Sequence, residues 1–158
     1  MDTVTRYINS IKRADSMIKG KTEGMTHEDS MRQLSFPANC MNWNLGHILV
    51  YRMQYLGLID GISQPDDAEL AMYGGGSEPL TDSDKAMPLE TLMTRLDDAS
   101  KQVISALKQM PPEKLDEVYD EENGTTVDER LSFYLVVHEA YHIGQLEILQ
   151  ELALAQRS

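Results

Sequence analysis

The stretch PLETLMTRLDDASKQVISALKQM, residues 88–110, decides the class of fold. Its apolar side chains recur every three or four residues and so share one stripe of an α-helix: Leu89, Leu92, Met93, Leu96, Ala99, Val103, Ala106, Leu107 and Met110. Pro88 suits a first helical turn, and Pro111 with Pro112 ends the pattern. Because one helix cannot bury such a stripe alone, other elements must pack against it.

Three further segments carry the same helical period, at about residues 2–19, 40–59 and 126–155. No stretch shows the strict alternation of a half-buried strand bounded by turn residues, so little or no sheet is expected. We therefore predict an all-α fold, a four-helix bundle with long connecting loops. The length favours a single domain over residues 1–158.

Local signals predict where these helices begin and end. Gly20 marks the expected end of the first helix. Asn39 or Asn42 is the candidate N-cap of the second helix. Thr126 and Glu129 have the spacing of a capping box at the start of the fourth helix.

The connections between the helices are long and rich in Gly, Pro, Asp and Ser, at residues 20–39, 60–87 and 111–125. Loops of this length are uncommon unless they cover a site or cross the bundle. A short helix is expected near residues 68–73, before the glycine triplet 74–76. That triplet follows no predicted strand and precedes no helix, so it is not a phosphate-binding loop.

The charge balance excludes some classes of partner. Lysine plus arginine number 14 and aspartate plus glutamate 26, a net charge of −12, which disfavours nucleic acid and anionic membranes. The single cysteine, Cys40, rules out an internal disulfide and any cysteine-rich zinc site. With no signal-peptide pattern and no apolar run near the ~20 residues of a membrane span, a cytoplasmic location is expected.

Two of the four histidines, His138 and His142, stand one helical turn apart on the fourth helix. At this spacing the Cβ atoms lie ~5–6 Å apart, so both imidazoles can reach one metal ion. They also interrupt a stripe of leucines that should face the interior, where an unpaired polar group costs ~1–3 kcal/mol. Two core histidines bonded to backbone, tyrosine or glutamine would explain the pattern equally well.

His47 shifts that balance towards a metal. It lies within the second helix among apolar residues, and three inward-facing histidines on two helices give the open, three-ligand arrangement of a catalytic metal site. Gly46 and Gly144, each near a histidine in the sequence, would allow a helix or a ligand to approach closely. His27 lies in a polar segment and is expected to be exposed.

The string His138-Glu139-Ala140-Tyr141-His142 also matches the zinc-peptidase motif, in which Glu139 would be the general base. The surroundings of the motif disagree with that interpretation. No third histidine follows, only sixteen residues remain after His142, and no strand is predicted that would bind an extended peptide.

The residues 43–48, WNLGHI, and 138–146, HEAYHIGQL, resemble the DinB/YfiT-like superfamily of metal-binding four-helix bundles, as does MYGGG at 72–76. The resemblance implies that His47, His138 and His142 bind one divalent metal. It also implies a helix order other than simple up-down-up-down, a homodimer, and thiol-dependent transferase or isomerase chemistry on a small-molecule substrate. Glu139 lies outside the metal triad of that family.

The chemistry of such a site leaves three functions open. A thiol that enters an open position on the metal would lose its proton near neutral pH and could attack an electrophile, as in a thiol S-transferase. With water instead of thiol the same site would be a metal-dependent hydrolase. A non-enzymatic dimer with a structural metal is the third. Zinc is the expected ion, although nickel, iron or manganese would also suit three histidines.

Helical spacing also suggests neighbours of the metal ligands. Trp43 and Tyr51 lie one turn either side of His47, Tyr134 one turn before His138, and Gln145 one turn after His142. These four are candidates to orient a ligand or touch substrate, or to be plain core packing. No catalytic side chain and no organic cofactor site is predicted.

Two other polar residues have alternative roles. Arg52 would either hold a substrate carboxylate or be ion-paired. Cys40 would either be activated at the start of a helix or be buried and inert.

Overall fold

The computed structural model describes residues 1–36 and 38–157. Its long helices are α1 (Thr3–Thr22), α3 (Met41–Asp60), α5 (Leu89–Gln109) and α7 (Glu139–Ala155). The shorter elements are α2 (His27–Ser30), α4 (Asp67–Tyr73), a 3₁₀ turn (Pro112–Asp116), the strands β1 (Val118–Asp120) and β2 (Thr125–Thr126), α6 (Val127–Ser132) and a π-helical turn (Phe133–His138). The segment from α6 to α7 is continuous and corresponds to the fourth predicted helix.

The four long helices pack as a bundle, which confirms the predicted all-α fold. α3 packs against α5 and α7, and α1 packs against the same two helices. Helices that follow one another along the chain, α1 then α3 and α5 then α7, therefore lie diagonally across the bundle. The long loops are what allow these two crossings.

A buried polar layer divides the core into two apolar halves. One half is built around Leu45, Leu92 and Leu146, and the other around Leu107 and Leu131. The layer between them contains Arg52 of α3, Glu139 of α7 and Ser100 of α5, all buried, and is closed at its edge by the partly exposed Asp15 of α1.

The helix ends follow the predicted signals only in part. The capping box is present: the Thr126 hydroxyl accepts from the Glu129 amide at 3.2 Å, and the Glu129 carboxylate accepts from the Thr126 amide at 2.9 Å. The prediction for Gly20 was wrong, because α1 continues to Thr22, whose hydroxyl donates to the Ile18 carbonyl at 2.9 Å.

The start of the second long helix was also mispredicted. Cys40 occupies the N-cap position of α3 without a capping side-chain bond. Asn42 is instead buried, and its amide donates to the Met87 carbonyl at 2.9 Å, so it fastens the middle loop to α3. Asn39 lies one residue before the N-cap of α3, and Pro88 is the N-cap of α5 rather than its first residue.

The loops hold more structure than the sequence indicated. α4 confirms the short helix expected near residues 68–73. β1 and β2 form a small antiparallel hairpin within 111–126, and α2 lies within the first loop. No helix in the described part of the chain has the length and apolarity needed to cross a membrane.

Candidate metal centre

The structure brings His47 of α3 together with His138 and His142 of the last helix. One ligand atom from each histidine can be chosen so that all lie within 4.8 Å of one another. The two Nε2 atoms of His47 and His138 are 3.1 Å apart. His47 and His142 are only 4% and 6% exposed, whereas His138 is partly exposed.

Two of these imidazoles are held by oxygen acceptors on Nδ1. Nδ1 of His47 lies 2.6 Å from the carbonyl oxygen of Tyr73, which can only accept, so Nδ1 carries the proton. Nδ1 of His142 lies 2.8 Å from Oδ1 of Asn44, whose amide nitrogen donates to the Cys40 carbonyl at 3.0 Å. Each ring therefore presents its Nε2 lone pair, as metal-binding histidines do.

His138 completes the group from a distorted part of the last helix. It is the final residue of the π-helical turn, in which the Glu139 amide donates to the Tyr134 carbonyl five residues earlier. Such turns insert one extra residue and recur at functional sites. Among the residues that the structure describes, none forms a hydrogen bond with the buried Nδ1 of His138.

All three histidines are neutral near pH 7. Burial lowers the pKa of His47. Burial and the neighbouring imidazole of His47 lower the pKa of His138 to about 4 and that of His142 to about 3. A neutral imidazole is the form that binds a metal ion.

The donor set fits a divalent metal. Nitrogen ligands ~2.0–2.1 Å from a tetrahedral ion lie roughly 3.3–3.4 Å from each other, close to the 3.1 Å between His47 and His138. If Nε2 of His47 and Nε2 of His138 both carry a lone pair, they repel each other at this distance. A cation bound between them would remove the repulsion. Three histidine ligands would leave a coordination position open.

Aromatic rings surround the histidines. The Trp43 ring stacks on His47 with centroids 4.5 Å apart, and its Nε1 donates to the Ser77 hydroxyl at 2.8 Å. Tyr51 contacts both His47 and His138, at 4.5 and 4.6 Å between centroids.

The two other predicted neighbours also lie at the site. Tyr134 meets His138 edge-on with the centroids 5.5 Å apart, and Oε1 of Gln145 lies 3.1 Å from Nδ1 of His142. All four predicted neighbours therefore lie beside the histidines, and what they do for a ligand stays a prediction.

Sequence reasoning missed Asn44 and the carbonyl of Tyr73. Asn44 lies three residues before His47 on α3, yet it bonds to His142. Tyr73 ends α4, and its ring lies over Gly46 so closely that a Cβ there would come within 2.3 Å of the ring. A glycine beside His47 was the available signal for this close approach.

Glu139 is not placed to act as a peptidase base. Its carboxylate takes two bonds from the Arg52 guanidinium, at 2.9 and 2.8 Å, and both side chains are 1% exposed. The resemblance to the zinc-peptidase string is therefore coincidental. The same pairing shows that Arg52 is a buried, ion-paired residue and cannot hold a substrate carboxylate.

Two residues lie away from the three-histidine group. The expectation for His27 was wrong, since it is half-buried as the first residue of α2, with Nε2 3.3 Å from the Ser83 carbonyl. Cys40 is buried, and burial raises the pKa of its thiol, which fits the inert alternative.

The comparisons with known proteins agree with this architecture. A crystal structure of a conserved protein from Enterococcus faecalis matches with a TM-score of 0.77, over 98% of this chain and 99% of that chain, at 15% sequence identity. At that identity the likeness is one of fold alone. No curated protein matches this sequence. The family model described as the DinB superfamily matches residues 13–146, and the chain therefore belongs to the DinB superfamily.

Proposed function

We propose that this protein is a divalent-metal-dependent enzyme of the thiol S-transferase type, with the ion held by His47, His138 and His142. The observation that carries the proposal is the convergence of three neutral imidazoles, two of them fixed by Nδ1 bonds. Three ligands would leave a position on the ion open. The thiol part of the proposal rests on the resemblance to the DinB/YfiT-like superfamily.

The proposed reaction is a nucleophilic substitution in which a thiolate displaces a leaving group from carbon. A bound divalent ion would supply positive charge that favours the thiolate over the thiol near neutral pH. The thiol proton leaves to solvent, the sulfur forms a bond to an electrophilic carbon, and the leaving group departs with its electron pair. Neutral imidazoles leave the charge of the ion uncompensated, which is the protein's main contribution.

The neighbouring groups hold the histidine rings in position before a ligand binds. The carbonyl of Tyr73 and the side chain of Asn44 fix the orientation of two rings. The rings of Trp43 and Tyr51 cover His47 on two sides and limit the access of water. Binding thus requires little rearrangement, which reduces its entropic cost.

Metal binding and turnover are tested in two steps, both with the full chain. Metal content is measured after purification and after loading with zinc, nickel, iron or manganese, in wild type and in His142→Ala. Turnover is then measured with low-molecular-weight thiols and chlorodinitrobenzene, in which the carbon–chlorine bond breaks and chloride leaves. We expect one ion per chain, and loss of both ion and turnover in His142→Ala.

His27→Ala is the matched control, because it removes a histidine that lies outside the three-histidine group. It should retain the ion and the turnover. A wild-type protein that takes up no metal would contradict the site, and a metal-loaded protein inactive with every thiol would contradict the transferase. Turnover of an ester panel without thiol would identify a hydrolase instead.

One observation favours a second candidate, a structural metal. His47 and His142 are almost fully buried, as in closed structural sites. In that case removal of metal lowers the melting temperature sharply while no substrate is ever turned over. The transferase instead requires a ligand to reach the side of the site where His138 is partly exposed.

A further inference from the structure

A concave site lies next to the three-histidine group. It is a groove of about 480 Å³ between the C-terminal half of α3 and the segment that carries the hairpin and α6. We call it the Arg130 groove. The residues that matter for its chemistry are Tyr55, Leu58, Lys114, Tyr119, Arg130 and Tyr134. Its volume is in the range of pockets that bind small molecules.

The groove is cationic in a strongly acidic protein. Aspartate and glutamate outnumber lysine and arginine by 26 to 14 in the chain. Within the described part of the structure, the lining of the groove nevertheless contains Arg130 and Lys114 and no acidic residue. Lys114 is partly neutralised by Glu117, 2.6 Å from its Nζ. The attraction for an anion therefore depends mainly on Arg130.

Arg130 is held in place without being neutralised. Its guanidinium carbon lies 4.3 Å from the ring centroid of Tyr134 and 5.3 Å from that of Tyr119. Among the residues that the structure describes, none accepts a hydrogen bond from the guanidinium or pairs with it within 4 Å. Its fork of N–H donors is free to bind a carboxylate at two points.

The carboxylate of Asp120 feels the charge of Arg130 but is bonded to other groups. Hydrogen bonds from Asn123 lower the pKa of Asp120, and the charge of Arg130 adds a smaller contribution. The Asp120 carboxylate accepts from the Asn123 side chain at 2.7 Å and from the Glu122 amide at 3.0 Å. Asp120 thus closes its own turn rather than blocking Arg130.

The ring of Tyr55 forms part of the wall of the groove, but its hydroxyl is buried inside the bundle. The side chain is 1% exposed, and among the described residues the hydroxyl has no hydrogen-bond partner. The hydroxyl therefore does not reach a molecule in the groove, and Tyr55 adds only apolar surface to its wall.

The groove and the histidines share one wall. The Tyr134 ring contacts Arg130 on one side and His138 on the other, with the ring centroids of Tyr134 and His138 5.5 Å apart. Tyr51 contacts both Tyr134 and His138, at 5.3 and 4.6 Å between centroids. A molecule in the groove would lie one aromatic ring away from the proposed metal ligands.

We propose that the Arg130 groove binds a small aromatic carboxylic acid, with its carboxylate on Arg130 and its ring among Tyr119, Tyr134 and Leu58. The use of this acid as a substrate of the metal site rests on the proposed function, whereas its binding does not.

The experiment measures binding of benzoate to the metal-free full chain by calorimetry, with benzamide as the neutral ligand of the same shape. Wild type should bind benzoate with a Kd of about 1 mM, as expected for so small a ligand, and benzamide at least tenfold more weakly. Arg130→Gln should weaken benzoate binding about tenfold or more. Tyr55→Phe should bind benzoate like wild type, because the buried hydroxyl does not reach the groove.

Two control variants test whether loss of benzoate binding is specific to the Arg130 groove. Arg95→Gln removes a cation that pairs with Glu69 away from the groove, and His142→Ala disables the proposed metal site. Both should bind benzoate like wild type. Melting curves of each variant establish that it is folded at the assay temperature.

The proposal is overturned if benzamide binds as well as benzoate, if Arg130→Gln keeps wild-type affinity, or if benzoate does not bind. Tighter binding of inorganic phosphate than of benzoate would also overturn it, since the site would then select phosphate. Because the assay contains no metal, its failure leaves the proposed metal enzyme untouched, and failed metal uptake leaves the groove untouched.

Discussion

Arg52 and Glu139 form a two-point ion pair inside the bundle, with 2.9 Å between Nε and Oε1 and 2.8 Å between Nη2 and Oε2. Burial alone would lower the pKa of Arg52, but the Glu139 carboxylate raises it, so the arginine stays charged. A second carboxylate, that of Asp15, lies 2.7 Å from Nη1. This pair joins α3 to α7 beside the histidines that those helices carry.

The first prediction concerns the stability of this pair. Glu139→Ala should lower the free energy of unfolding by about 3–5 kcal/mol, because it leaves a buried guanidinium short of its main partner. Urea unfolding checks this. The variant should still take up metal when folded, since Glu139 faces Arg52 rather than the histidines.

Glu147→Ala is the matched control on the same helix. Glu147 is 62% exposed and pairs with Lys21, an arrangement typically worth about 0–1 kcal/mol. If Glu139→Ala is no more destabilising than Glu147→Ala, the buried layer is not what holds α3 and α7 together.

The second prediction concerns Asn44. Asn44→Leu should weaken metal affinity roughly 10–100-fold, because His142 loses the acceptor that fixes its ring. Gln145→Leu should have a smaller effect, since its contact with His142 is longer, at 3.1 Å against 2.8 Å. Competition with a chromophoric chelator measures both affinities. Equal affinity in wild type and Asn44→Leu would contradict the role of Asn44.

The sequence was sufficient for the existence of the four long helices and for the pairing of His138 with His142, because both signals are local. A stripe repeating every 3.6 residues places residues 88–110 on a helix whatever surrounds it. Likewise, the spacing of His138 and His142 alone puts them on one face. The same helical spacing predicted the neighbours Trp43, Tyr51, Tyr134 and Gln145, but not Asn44.

What the sequence did not reveal depends on contacts between distant segments. The Tyr73 carbonyl reaches His47 only because the loop before α5 folds back over Gly46. The hairpin strands, three and two residues long, are too short to show alternation. The π-helical turn has no local sequence signature, and the homodimer and the cytoplasmic location stay predictions.

The third prediction concerns acid stability. The Arg157 guanidinium, with the hydroxyl and amide of Thr26, holds the pKa of the buried Asp29 well below its usual range. As the pH falls, the Asp29 carboxylate is therefore protonated near pH 4 in the unfolded chain but only at a lower pH in the native chain. This contribution, about 2 kcal/mol, is complete above about pH 4 and is lost as the pH falls below it.

Asp29→Asn should accordingly be less stable than wild type at pH 7, and the difference should shrink towards pH 3. Denaturant unfolding at pH 7, 4 and 3 measures this. Asp97→Asn, which alters an exposed pair with Lys101, should change stability by less than about 1 kcal/mol at pH 7. A pH-independent difference for Asp29→Asn would contradict the assignment.

The fourth prediction compares two glycines near the histidines. Gly46→Ala would place a Cβ 2.3 Å from the ring of Tyr73, whose carbonyl holds His47. Relieving that overlap should cost about 1–3 kcal/mol of stability and weaken metal affinity, because the carbonyl must move with the ring. Thermal unfolding and the chelator assay measure the two effects.

Gly144→Ala supplies the matched comparison, since nothing lies within 4 Å of a Cβ at that position of α7. Alanine is favoured over glycine inside a helix by about 0.5–1 kcal/mol, so this variant should be slightly more stable than wild type and keep its metal affinity. Comparing Gly46→Ala with Gly144→Ala separates the effect of helix propensity on stability from the effect of the contact between residue 46 and Tyr73. If both substitutions raise stability alike, Tyr73 does not pack on Gly46 in solution, and the support it gives to His47 must come from elsewhere.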